Sequence, residues 1–267
     1  MEDNKFVVLR TGKPHISFSE LREWKECSYR HKLKHVDGLD LSEPSPHADF
    51  GKAIHSACEH FLKTREMNIQ IALDSIKEQW ALEKHAATHK DIENFLLEAN
   101  SILNDIPNFM EQNFPNWSFI DAEHQLYEPI DNLPHAFKGF IDAVISTQDS
   151  KGKKTIWLLD WKTTSWGWAS AKKSDDLVKM QLVLYKTFWA TKTSTDIKDV
   201  KCGFILLKRT AKPGSHCELV TTSVGPVVIE RANKAIRSMI ASVQRGVVIK
   251  NRSNCTYCKF KNTTHCT

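Results

Sequence analysis

The sequence predicts an α/β protein, and two observations carry that prediction. Through residues 47 to 114 the apolar residues recur at spacings of three and four. From residue 117 they change to short runs separated by polar turns, then return to helical spacing, strands and a last helix. With 267 residues, 41% of them apolar and 26% charged, the chain can build one large domain or two small ones.

The elements follow in order. "ISFSELREWKEC" sets Ser17 three residues before Glu20, a capping-box pattern, and predicts a helix ending near Cys27. Three helices are expected in "HADFGKAIHSACEHFLKTRE", "IQIALDSIKEQWALEKHAATHK" and "DIENFLLEANSILNDIPNFMEQNF". Strands are expected in "WSFIDAEHQLYEPI", "HAFKGFIDAVIST" and "KTIWLLDWKT", the last two joined by the polar turn "QDSKGKK". "SDDLVKMQLVLYKTFWA" is helical again, opened by Ser174 with Asp175 and Asp176 in its first turn. Two strands, "DVKCGFILLKR" and "HCELVTTSV", precede a helix over about 225 to 245. The architecture is thus one α/β domain with a helical insertion on its N-terminal side.

A formal net charge of +5 suits a polyanionic partner without requiring one. No apolar run reaches the ~20 residues that cross a bilayer. "MEDNKFVVLRTGK" has a four-residue apolar run and no cleavage pattern, so a cytoplasmic location without membrane attachment is expected. Seven cysteines there are not expected to pair as disulfides.

The chemistry concentrates in "WLLDWKTTSW". Asp160 and Lys162 are two apart, so a strand aims both the same way at the end of an apolar run. Alone, the pair reads as a strand-end salt bridge. Asp142, set among Phe140, Ile141, Ala143 and Val144 on the neighbouring strand, changes that reading. Two carboxylates converging in an apolar setting need a positive neutraliser, and oxygen ligands suit magnesium or manganese. His55 and Glu59 are one helical turn apart; Glu59 fits an exposed polar stripe as well as a functional role. His55, taken to follow a Gly51-containing turn near a helix start, is a natural further ligand. Gln181 and Tyr185, also one turn apart, suit a buried hydrogen-bonding pair or contact with the Asp160 strand end.

His55, "GFID" at 139 to 142, "LLDWKT" at 158 to 163 and "QLVLY" at 181 to 185, in that order, resemble the motifs of the PD-(D/E)XK nuclease superfamily, in its RecB-like exonuclease branch. The resemblance implies a restriction-endonuclease-like core with a mixed central sheet. It makes His55, Asp142 and Asp160 ligands for Mg²⁺ or Mn²⁺, completed by the Trp161 carbonyl, and Lys162 the catalytic lysine. Gln181 and Tyr185 match its QxxxY motif, which supports active-site geometry. Glu123, on the preceding strand, fits the pattern only loosely.

The tail "NCTYCKFKNTTHC" carries Cys255, Cys258 and Cys266, one ligand short of a tetrahedral or cubane site, and Cys27 is the candidate fourth. This layout resembles CRISPR-associated iron–sulfur exonucleases and AddB-type nuclease domains, which implies a four-iron, four-sulfur cluster. Zinc, with His265 as an alternative donor, remains the competing reading. Cys58, Cys202 and Cys217 read as core residues. The expected organisation is a single nuclease domain over 1–267: a helical segment at about 47–115, a catalytic core at about 116–225, and a cluster-binding region of Cys27 with 250–267.

For nucleic acid, the candidates are the basic run Arg30, His31, Lys32, Lys34 and His35, and the turn lysines Lys151, Lys153 and Lys154. Trp166 and Trp168 are placed to stack on unpaired bases, whereas Trp161 reads as core. The expected activity is metal-dependent DNA hydrolysis, as an exonuclease on single strands or duplex ends. An endonuclease or flap nuclease on the same site, and a non-catalytic subunit of a recombination or repair complex, are the alternatives.

Overall fold

The computed structural model describes residues 6–81 and 89–267. Residues 1–5, part of the N-terminal reading, and residues 82–88, within the expected second helix of the insertion, lie outside the described residues. The helices are α1 (Phe18–Glu26), α2 (Ser28–His31), α3 (Pro46–Thr64), α4 (Ile69–Ala81) and α5 (His89–Asn113), then α6 (Ser170–Ser174), α7 (Asp176–Thr193) and α8 (Pro226–Arg245). The strands are β1 (His15–Ser17), β2 (Ser118–Pro129), β3 (Ala136–Gln148), β4 (Lys154–Thr164), β5 (Val200–Lys208) and β6 (Cys217–Thr221). The chain divides into two compact units, residues 1–43 with 125–139 and 224–267, and residues 44–124 with 140–223.

In the first unit, β1 pairs in parallel with residues 136–138 of β3. Ser17 then caps α1 as expected, its hydroxyl accepting the Glu20 N–H at 3.3 Å. Glu20 does not complete a capping box; its carboxylate is buried and meets His31 Nε2 at 2.9 Å. The short α2 and a π-helical stretch over Lys32–Val36 follow, neither visible in the apolar spacing. The C-terminal segment docks on the end of α1, where Asn251 and Asn254 donate side-chain amides to the Glu26 carbonyl at 2.9 and 2.8 Å. They satisfy a carbonyl that the helix end leaves without an intrahelical partner.

In the second unit, β3 and β4 are antiparallel, β4 and β5 parallel, and β5 and β6 antiparallel, a mixed sheet. The β3–β4 hairpin is closed by Asp149, whose carboxylate accepts the N–H groups of Lys151 and Lys153, each at 2.9 Å. Parallel strands need a long crossover, and α7 lies within the one joining β4 to β5. Its cap is Asp175, accepting from Leu177 N at 2.7 Å, rather than the expected Ser174. Ser174 instead ends α6, its hydroxyl donating to the Ala171 carbonyl at 3.0 Å.

The strands alternate cleanly. Ala143, Ile145, Leu159, Trp161, Ile205 and Leu207 join the core with α3, α4 and α5. The opposite parity, including Asp142 and Asp160, is thereby turned to the other face. Gly51 is not in a turn: it lies inside α3, where an added Cβ would sit 3.2 Å from Thr163 Oγ1 of β4. The glycine permits α3 to approach the strand that carries Asp160.

Gly203 of β5 is tighter still, since a Cβ there would meet Leu219 Cδ1 at 2.9 Å and the Val220 carbonyl oxygen at 3.3 Å. Gly203→Ala is expected to destabilise the protein by about 1–3 kcal/mol through overpacking. Urea denaturation would show this as a lower midpoint with an unchanged slope.

Candidate active site

Every side chain proposed from the catalytic motifs lies in the second unit. The β3–β4 ladder ends at Ala143 opposite Leu159, and the next pair would be Asp142 and Asp160. There a side chain replaces the backbone: Asp142 Oδ2 accepts the Trp161 N–H at 2.7 Å. His55, from α3, brings Nδ1 to 3.6 Å from Asp142 Oδ2. Asp160 is 2% exposed and ion-paired with Lys162, whose side chain keeps a third of its surface in solvent. Gln181 of α7 donates from Nε2 to Asp160 Oδ1 at 2.7 Å and to the Tyr185 hydroxyl at 3.1 Å. Contacts thus run from His55 through Asp142 to the Trp161 peptide, and from Lys162 through Asp160 and Gln181 to Tyr185.

Glu123 is the residue that sequence reading undervalued. It adopts φ 49° within β2, a left-handed conformation that interrupts strand alternation and redirects its carboxylate. Donor atoms of His55, Glu123 and Asp142 all lie within 4.8 Å of one another, so the three could hold a metal ion. Asp160 is outside that three-member cluster, its carboxylate engaged by Lys162 and Gln181. Glu59 pairs with Lys63 at 2.5 Å on the helix surface, as a polar stripe would.

The family model of the PD-(D/E)XK nuclease superfamily matches residues 15–263. The chain belongs to this superfamily. Its fold implies phosphodiester hydrolysis, with nucleic acid as substrate. Among solved structures, a protein of Eubacterium rectale named "Putative exonuclease" is similar at 13% identity, over 93% of this chain and 88% of that one, with TM-score 0.58. Another, SSO0001, matches at 14% identity over 91% and 93% of the two chains, but its TM-score of 0.34 is too low to bear on the fold. No curated protein matches the sequence. Among the described residues no helix is long and apolar enough to cross a membrane.

For a superfamily member the electrostatics of the cluster are informative. Burial, reinforced by the charge of Asp160, pushes the Asp142 carboxyl well above the ordinary range. Burial followed by the charges of Glu59 and Asp160 raises Glu123 as well. Burial lowers His55, favouring the neutral imidazole that ligates metals, and raises the Tyr185 phenol, keeping it a hydrogen-bonding OH. An acidic group so little neutralised by the protein itself is suited to a divalent cation.

In the first unit, Cys27, Cys255, Cys258 and Cys266 line one cavity of about 240 Å³. No cysteine is in a disulfide, and Cys58 and Cys202 are buried in the core as expected, with Cys217 half-buried. The basic run after Cys27 is largely neutralised within the unit: Arg30 pairs with Glu26, Lys32 with Asp37, and Lys34 with Glu23. Burial alone would raise Glu23, but hydrogen bonds from His35 and Lys34 outweigh it and hold the carboxyl at about 2. His31 is buried against Glu20 and stacks on His35 at 4.8 Å. In the second unit, Lys153 pairs with Asp199 at 3.0 Å. Trp161 is core, Trp166 is 81% exposed, and Trp168 packs on Phe204 with Lys172 over its ring.

A raised carboxyl pKa stabilises the folded state below the ordinary carboxylate range, and that contribution is lost as pH rises through the elevated value. Without metal, the protein is therefore expected to lose stability as pH climbs from about 4 toward neutrality, to the extent Asp142 and Glu123 must ionise. Manganese should raise Tm more at about pH 7.5 than at about pH 5. Asp142→Asn should raise the Tm of chelator-treated protein near neutrality and remove most of the manganese-dependent gain. Differential scanning fluorimetry across pH measures both.

Proposed function

We propose that this protein is a metal-dependent DNA nuclease of the RecB-like branch, acting in the cytoplasm as an exonuclease on single-stranded DNA or DNA ends. The observation that carries the reading is the convergence of His55, Glu123 and Asp142 beside the Asp160–Lys162 ion pair. In this reading His55, Glu123, Asp142 and Asp160 are ligands for Mg²⁺ or Mn²⁺, with the Trp161 carbonyl as a further oxygen donor. Oxygen donors with one imidazole fit such ions. A divalent ion, when bound, supplies a water of lowered pKa and neutralises charge on phosphate oxygens.

The chain's own residues do the rest. Lys162 presents its ammonium at the partly open side of the site, where it stabilises the charge that grows on the phosphate. Gln181, shared between Asp160 and Tyr185, fixes the Asp160 rotamer, so Gln181 and Tyr185 are positioning residues. The exposed Trp166, just beyond β4, offers an unpaired base a ring to stack on, which favours a single-stranded substrate.

Lys162→Ala and Asp160→Asn should each lower cleavage at least a hundredfold while leaving melting cooperative. Manganese with end-labelled linear and circular single-stranded DNA tests the mode. Mononucleotide release from the linear strand, with the circle intact, is expected; cut circles indicate an endonuclease, and undiminished cleavage by either variant overturns the site.

We further propose that Cys27, Cys255, Cys258 and Cys266 hold a four-iron, four-sulfur cluster. Support comes from their common cavity and from the Asn251 N–H, which approaches Cys27 Sγ at 3.5 Å. Protein purified without oxygen should be brown, with broad visible absorption lost in Cys258→Ser; a colourless protein carrying zinc would refute the cluster.

A further inference from the structure

The positive charge of this chain is concentrated at one end. Residues 231–267 hold eight lysines and arginines and no aspartate or glutamate, although the whole chain carries only +5. The preceding 230 residues are therefore net acidic. All eight cations are exposed, and the whole segment belongs to the first unit.

Within that segment the charges differ in their engagement. Arg237 pairs with Glu230 at 2.6 Å and Lys259 with Glu43 at 2.5 Å. Lys250, Arg252 and Lys261 border the cysteine cavity; Lys250 Nζ donates to the Thr267 oxygen at 3.5 Å, and Arg252 and Lys261 form no salt bridge to a described residue. Lys250 lies over the Tyr29 ring at 4.8 Å. Between two of the cavity cysteines, Tyr257 holds its ring 94% exposed, an arrangement that burial does not reward. Exposed cations beside a projecting aromatic are the elements of a single-strand binding surface: charge for the phosphates and a ring for a base.

We propose that this basic face binds a single nucleic-acid strand, with Lys250, Arg252 and Lys261 at phosphates and Tyr257 against a base. The basic run at Arg30, Lys32 and Lys34 differs from it in that each of its three cations is ion-paired within the unit. The proposal rests on the nuclease reading only for the identity of the polyanion. Its rival is that these cations serve solely to offset negative thiolates around the cavity.

Binding of a fluorescent oligothymidylate, followed by anisotropy in chelator across a salt series, separates the two. Lys250→Gln/Arg252→Gln/Lys261→Gln should weaken binding at least tenfold and flatten the logarithmic salt dependence by about 2, given ~0.7 per phosphate contact on single strands. Tyr257→Ala should weaken binding about fivefold or more with the salt dependence unchanged. Metal content and melting of both variants should match the parent. Unchanged affinity and slope in the triple variant overturn the proposal, as does loss of bound metal in it. Preference of the parent for phosphatidylserine vesicles over the oligonucleotide overturns it as well. The same preparations are then assayed for cleavage with manganese. Salt-sensitive binding without cleavage sinks the nuclease reading and spares this surface; cleavage with binding unaffected by the triple variant does the reverse.

Discussion

The second unit depends on a carboxylate that takes the place of a strand. Asp142 accepts the Trp161 N–H where the β3–β4 ladder would have continued. One hydrogen bond thereby ends the hairpin pairing, satisfies a backbone donor in the core, and fixes the carboxylate at the strand end. The cost is electrostatic, because a second acid, Asp160, is buried close by and Lys162 neutralises it from one side only. Apolar residues in these places would stabilise the fold better. Under the proposed function, a bound divalent cation would relieve this repulsion of like charges.

That arrangement explains why α3 and α7 run where they do. α3 comes close enough to the sheet for His55 to reach Asp142, and the absent side chain at Gly51 leaves room beside Thr163. α7 must present two residues one turn apart to a carboxylate on the opposite strand face, which Gln181 and Tyr185 do. The helical layer of α3, α4 and α5 covers the other face with apolar side chains around Trp161. One tripeptide, Asp160–Trp161–Lys162, therefore turns its charged outer members to the candidate site and its middle one to the core.

Much of this was legible because it depends on local period. The i, i+2 relation of Asp160 and Lys162, and the i, i+4 relation of Gln181 and Tyr185, are geometric consequences of strand and helix. The hairpin that aligns Asp142 with Asp160 follows from a polar turn between apolar runs. What stayed hidden depends on departures from period. Glu123 reaches the site only because its backbone is left-handed at φ 49°, and Gly51 read as a turn because its helical role is set by a strand more than 100 residues away. The run at 30 to 34 looked like a phosphate track, but its partners Glu23 and Glu26 precede it in α1, across the extended Cys27 that separates α1 from α2 and that spacing does not announce.

The first unit poses a different problem, since it is assembled from three separated stretches of chain. Bringing residue 27 to residue 255 closes a loop of over 200 residues, at an entropic cost of about 5 kcal/mol. Between residues 246 and 267 only Phe260 is buried, so apolar burial in the tail itself offsets little of this. The hydrogen bonds of Ser28, Tyr29, Asn251 and Asn254 across the junction, at ~1 kcal/mol net each, do no more than balance the closure. A bound group held by Cys27 and the three tail thiols would tip that balance decisively, because ligation energy becomes folding energy. It would also bear on the basic face: the loop that projects Tyr257 is bounded by Cys255 and Cys258, so ligation of both would fix its two ends.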